Sequence, residues 1–474
     1  MTPSNLGSHV TRPQSRRDWL LQTGAGFGGL ALSALMADSS HAVVDPLAAK
    51  SPHFAPRVNR VIMLFMFGGP SHLDTFDPKP ILTRDSGRPL AAEKRPRVVS
   101  FPNRMGNLVG SPFEFAQHGE SGTWVSSLFP HVATHVDDLC VINSMCCSNS
   151  RHGGAVLEWH TGTDTFVRPS MGSWITYGLG TENQNFPGYV TICQDLSQGG
   201  ANNFGSAFLP AMYQGTALGH AGLKPQEARI PFLGSNATAR DRQRLEIDLL
   251  SQMERRQAVS RGPDNELEAR IASFELAYSL QGEAPEMQNL AAESATTHAL
   301  YGLDNPETAD FGTQCLLARR FSEYGVRFVQ CNLSGWDAHN KLKEDHGRLA
   351  RAIDKPIAGL LTDLKRRGLW NDTLVIWGGE FGRTPTCEGT DGRDHNPHGY
   401  TMWLAGGGVK QGITWGKTDD YGYYAIENKV HVHDLHATIL HLLGLDHKRL
   451  TFKYAGRDFR LTDVHGELVE GILA

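Results

Sequence analysis

Residues Asn371 to Gly408, NDTLVIWGGEFGRTPTCEGTDGRDHNPHGYTMWLAGGG, decide the fold. A short β-branched and apolar run, Thr373 to Trp377, turns at two glycines into a polar loop holding Glu380, Arg383, Asp394, His395 and His398. A second apolar run follows and ends in three glycines. A strand that stops at Gly-Gly and then presents carboxylate, guanidinium and imidazole groups is the C-terminal edge of a sheet in an α/β enzyme, where ligands bind.

Working outward, Val58 to Phe67, VNRVIMLFMF, is a nearly continuous apolar run, the pattern of a parallel strand covered on both faces. It too ends in Gly-Gly, followed by Ser71, His72 and Asp74. Leu139 to Met145 reads as a third strand, ahead of a loop with Ser148, Ser150, Arg151 and His152, and Pro187 to Ile192 as a fourth. Val326 to Asn332 reads as a strand before Asp337 and His339, and His346 to Arg367 as a helix with Ala350, Ile353, Ile357, Leu360, Leu361 and Leu364 on one face. Strand, loop, helix, strand is a βαβ unit, so the polar loops gather on one edge of one parallel sheet. Phe129 to Val136, Phe311 to Tyr324 and Asp434 to Leu443 are further expected helices. Residues 227–303, rich in Glu, Arg, Gln, Ala and Leu, are expected to form a helical insertion with a solvated charged face, and Asn202 to Gly215 the wall of a pocket.

The N-terminus carries Ser15-Arg16-Arg17-Asp18-Trp19, a twin-arginine pattern, then a glycine- and alanine-rich apolar run and small residues at Ala37 and Ala42. Residues 1–42 are expected to be a twin-arginine signal and 43–57 a linker, which places the mature protein in the periplasm or outside the cell. The twin-arginine export machinery is then a partner. No later run is long and apolar enough to span a bilayer. A net charge of −5 with 21 histidines gives no electrostatic basis for nucleic-acid binding. Seven cysteines without CxxC spacing imply neither a zinc ribbon nor a disulfide framework.

Carboxylates mixed with imidazoles suit zinc, manganese or iron better than calcium or magnesium. Asp74, His152, Asp337, His339, Glu380, Asp394, His395 and His398 are the candidate metal ligands. That number is enough for two divalent ions about 4 Å apart. Ser148 or Ser150 is the candidate nucleophile, and Arg151 and Arg383 are candidate clamps for a phosphate or sulfate ester. Each residue also has a structural reading. Asp337 and His339 fit a cap on the following helix, Glu380 and Arg383 a buried ion pair, and Asp394 and His398 a polar turn; His72 fits a structural role equally well.

The motifs GGPSHLDTFDPKP, GWDAH, GGEFGRTP, GRDHNPHG and LAGGGVK together resemble the DUF1501 family of exported bacterial, planctomycete-type proteins. The arrangement is similar to the alkaline phosphatase and sulfatase superfamily. The resemblance implies an alkaline-phosphatase-like α/β fold over residues 58–470, with a mainly parallel central sheet flanked by helices. It also implies that Asp337 and His339 belong to one metal site and that His395 or His398 is the late histidine ligand. Glu380 stands where the superfamily has an aspartate followed by histidine. The segment VHDLHATILHLLGL, Val432 to Leu445, resembles the helix after that site and is expected to carry no chemistry. Three positions depart from the pattern: Gly68-Gly69 replaces a metal-binding aspartate, Phe381 replaces a histidine, and Asn149 replaces the proline of the sulfatase cysteine motif. The expected function is metal-dependent hydrolysis of a small or polymeric phosphate or sulfate ester. The alternative is a non-catalytic exported protein that binds carbohydrate or another partner.

Overall fold

After Arg60 the first apolar run has no polar side chain, and such a strand needs cover on both faces. In the computed structural model it forms β1, Arg60–Phe67, inside a nine-stranded sheet. Ile62, Leu64 and Met66 pack into one hydrophobic layer, and Val61, Met63, Phe65 and Phe67 into the other. The structure describes residues 46–95, 104–228, 237–261 and 265–474. The chain divides into Met1–Pro46 and a second unit, Leu47–Ala474. The expected signal segment, 1–42, and residues 43–45 lie outside the described residues.

A hairpin of β2 (Phe115–His118) and β3 (Thr123–Ser126) precedes β4 (Leu139–Cys146). Then come β5 (Tyr189–Gln194), β6 (Thr216–His220), β7 (Phe328–Ser334) and β8 (Thr373–Gly378). After them come β9 (Gly382–Glu388), β10 (Gly392–Asn396), β11 (Tyr400–Gly406), β12 (Ile413–Trp415), β13 (Lys417–Thr418), β14 (Ala425–Glu427) and β15 (Val430–His431). The sheet order is β12-β4-β11-β8-β1-β7-β5-β6, with β15 also paired to β4. Its strands run parallel except β11, which opposes both β4 and β8. The fold is therefore α/β with a mainly parallel sheet, and the ends of β1, β7 and β8 share one edge, as expected.

The helices used below are α1 (His152–Thr161), α2 (Met171–Leu179), α3 (Ala237–Arg261), α4 (Asn265–Met287), α5 (Ala309–Glu323), α6 (Leu342–Arg366) and α7 (Val432–Leu442). One face of the sheet is covered by α5 and α6, through residues such as Phe311, Leu316, Ile353 and Ile357. The other is covered by α1, α2 and α7, through Trp159, Ile175, Leu435 and Ile439. Helices α3 and α4 occupy the expected insertion, and α3 exposes Leu245, Leu249, Leu250 and Met253 while burying Ile247. Within 202–215, Phe204, Leu209, Met212 and Tyr213 are core residues on the second face.

Three local expectations change. Residues 382–396, read as a loop, form the antiparallel ribbon β9/β10; both strands are buried along nearly their whole length, so no two-residue polar alternation marks them. The helix expected over 129–136 is a 3₁₀ turn, Val132–Asp138, whose start is tied to Asp354 by the amides of His131 and Val132. Residues 47–57, read as linker, hydrogen-bond to the body, for example from Lys50 N to Leu179 O and from Arg57 N to Leu442 O.

Candidate metal centre

The end of β7 turns through Gly335 and buries Trp336, whose N–H donates to Phe67 O at the end of β1. This fixes the next residue, Asp337, beside the first Gly-Gly turn. Gly68 has φ +109°, and a Cβ there would lie 2.4 Å from Asp337 N, so the close approach requires glycine. From the ribbon, the backbone N–H of Arg393 donates to Ala338 O. A register shift between Arg393 and His395 then re-aims His395 toward the same point.

Three imidazoles converge on one carboxylate oxygen. His339 Nε2 lies 2.9 Å, His152 Nε2 3.1 Å and His395 Nε2 3.2 Å from Asp337 Oδ1. Each ring is held from behind at Nδ1: His152 by Glu380 Oε1 at 2.6 Å, His339 by Glu388 Oε2 at 2.5 Å and His395 by Ser150 O at 2.8 Å. An Nδ1 facing an oxygen acceptor carries the ring proton, which leaves the Nε2 lone pair free. His339 Nε2 and His395 Nε2 then face each other at 3.0 Å, and the buried His152 Nε2 faces Asp337 Oδ1. Lone pairs brought together this way repel unless a cation lies among them. Donors about 2.0–2.2 Å from a common divalent ion sit at such mutual distances, so the residues fit a cation of the zinc type.

The charges agree. Burial alone would raise the Asp337 carboxyl; the contacts with His152, His339, His395 and Arg383 outweigh it and hold the group far below the carboxylate range. Burial lowers His152, but Asp337 and Glu380 push it up to about 9. His339 is raised, first by Asp337, and burial drives His395 down to about 4. A metal binding here would displace protons from the rings.

The remaining candidates have other placements. Glu380 is fully buried, holds His152 and accepts the Gly68 N–H at 3.0 Å, so it supports a ligand and is outside the convergent set. Asp394 bends onto the His395 amide at 2.7 Å and lies near His339 and Glu388. Asp74 is in a buried ion pair with Arg393 at 2.8 Å and accepts from Ser71. The ring of His398 lies 5.3 Å from that of Tyr424, apart from the convergent group. Arg383, expected as an anion clamp, is buried and spends its guanidinium on the carbonyls of Gly68, Gly69 and Arg393 and on Asp337. Arg151 is exposed at the N-cap of α1. The Ser148 hydroxyl turns to Glu158, whereas Ser150 reaches the cluster through its carbonyl. Glu388, behind His339, is a residue of the centre that no sequence motif singles out. Phe381 is buried, its ring 4.6 Å from that of His395 and 4.8 Å from that of His152.

These features define a mainly parallel α/β protein with a three-histidine, one-aspartate cluster at the edge of its sheet. The chain belongs to the family DUF1501, described as proteins of unknown function, which it matches over residues 58–473. No curated protein matches it in sequence. Similar solved structures include the lipoteichoic acid synthase LtaP from Listeria monocytogenes, at 11% identity over 88% of this chain and 79% of that one, TM-score 0.36. A protein in the alkaline phosphatase superfamily from Vibrio parahaemolyticus shares 10% identity over 84% and 69%, TM-score 0.37. The PsFucS1 sulfatase from Pseudoalteromonas sp. shares 12% over 82% and 68%, TM-score 0.35. Likeness at this level assigns no role to any residue.

Proposed function

We propose that this is an exported, metal-dependent hydrolase of phosphate or sulfate esters, carried by the twin-arginine route to the periplasm or beyond. The supporting observation is the convergence of His152, His339 and His395 on Asp337, each ring held at Nδ1. These four residues would hold a divalent cation, which when bound supplies Lewis-acid polarisation of an ester oxygen. The Asp337 side chain is 41% exposed, so an anionic ester can approach from solvent. Arg151, exposed at the start of α1, is the residue assigned to attract that anion, helped by the helix N-terminus. Arg383 positions Asp337 and the Gly-Gly turn. Of the two serines, Ser148 has its hydroxyl committed to Glu158, so Ser150 is assigned the attacking hydroxyl. Among the described residues no helix is long and apolar enough to cross a membrane.

The test compares the purified mature protein with Asp337→Ala for bound transition metal and for hydrolysis of aryl phosphate and aryl sulfate. The expected result is loss of metal from this site and a fall in activity of at least about 100-fold. Unchanged metal content in a folded Asp337→Ala protein would sink the reading. The second reading, a non-catalytic carbohydrate- or partner-binding protein, draws support from the burial of Arg383, which leaves one expected anion contact unmade. Metal binding with no hydrolysis of any ester would favour it.

A further inference from the structure

A second group of ligand-type side chains lies on the other end of α1. Glu158 is 2% exposed, yet among the described residues no lysine or arginine lies within ion-pair distance of it. Its Oε2 accepts the backbone N–H of Ser148 at 2.9 Å and its Oε1 accepts the Ser148 hydroxyl at 2.6 Å. Two imidazoles face Oε1, His431 Nε2 at 3.7 Å and His433 Nε2 at 3.9 Å. A buried carboxylate with only neutral donors and two rings beyond hydrogen-bond reach is short of positive charge. His433 is 7% exposed, and among the described residues its Nδ1 has no hydrogen-bond partner.

We propose that Glu158, His431 and His433 form a second divalent-cation site, separate from the Asp337 cluster. The two groups share no residue, and their ligand atoms gather at different points. One carboxylate and two imidazoles suit zinc, manganese or iron(II), with further positions open to water or to the exposed Ser148 hydroxyl, 3.2 Å from His431 Nε2. Separations of 3.7–3.9 Å need only slight closure around an ion about 2.1 Å from each donor. His431 also caps α7, its Nδ1 accepting a long 3.3 Å bond from His433 N; metal at Nε2 moves the ring proton to Nδ1 and gives up that bond. The other half of the cap, Asp434 accepting from His431 N at 2.9 Å, is unaffected.

The site gives the segment starting at Val432 a chemical role. It also ties α7 to α1, the helix that carries His152 six residues before Glu158, about 9 Å along the axis.

The experiment loads the full mature chain with Zn²⁺, removes excess by desalting, and measures zinc per folded chain in wild type, Asp337→Ala, Glu158→Gln and His433→Asn. The expected result is about two ions in wild type and one fewer in each single variant. Asp337→Ala leaves the second group untouched, so its one remaining ion answers the question even if a Glu158 variant misfolds. No ion in Asp337→Ala, or wild-type content in folded Glu158→Gln and His433→Asn, overturns the proposal. Loss in Glu158→Gln with full content in Asp337→Ala would instead overturn the hydrolase centre and leave this site standing.

Discussion

At the residue scale, the candidate centre depends on which atoms are taken out of use. His339 offers Nε2 because Glu388 occupies Nδ1, and a carboxylate behind a ligating imidazole orients the ring and strengthens it as a donor. Glu388→Gln should therefore weaken cation binding about 10- to 100-fold while leaving the fold intact. Competition with a fluorescent chelator measures this, and an unchanged affinity would remove Glu388 from the centre. Asp74 and Arg383 show the opposite outcome. Their residue types suit a ligand and an anion clamp, but each is committed to protein partners. Residue type and spacing do not tell which partner a buried charge takes.

At the element scale, the ends of three parallel strands do the positioning. Gly68 closes β1 by giving its N–H to Glu380 and making room for Asp337 at the end of β7, and β8 delivers Glu380 itself. Gly68→Ala forces a Cβ into the Asp337 amide at a positive φ, and should cost about 2–4 kcal/mol of stability in urea unfolding. Cation binding should weaken with it. A stability change within about 0.5 kcal/mol would show that the turn relaxes freely. The ribbon β9/β10 adds the other half of the site, since the register shift at Asp394 re-aims His395. Long apolar strands and the helix face of α6 are legible in sequence because burial repeats with the period of the element. The ribbon is not, because its polar residues are buried against other loops.

At the scale of the whole molecule, closing the two layers over the sheet buries histidines in neutral form. His346 accepts the Ser71 N–H at Nε2, and burial pushes it down to about 3; His436, donating to Trp159 O from Nε2, is driven to about 3 by burial and its neighbour His433. The unfolded chain binds these protons near pH 6.5, so the stabilisation is complete above that value and is lost as pH falls toward 3. Each residue should cost about 1 kcal/mol by one pH unit below 6.5. Urea unfolding of chelator-treated protein between pH 7.5 and 5.5 reads it, and a flat profile in which His346→Gln and His436→Gln change nothing would refute it. By itself the sequence determined the α/β class, the strand ends that form the edge and the DUF1501 membership, because apolar periodicity, glycine turns and family motifs are local patterns. Only the tertiary structure decided which of the gathered polar groups converge. Gly68, His152, Asp337 and the ribbon that carries Glu388 and His395 come from segments far apart in the chain, and a lone pair's availability depends on the atom packed behind it.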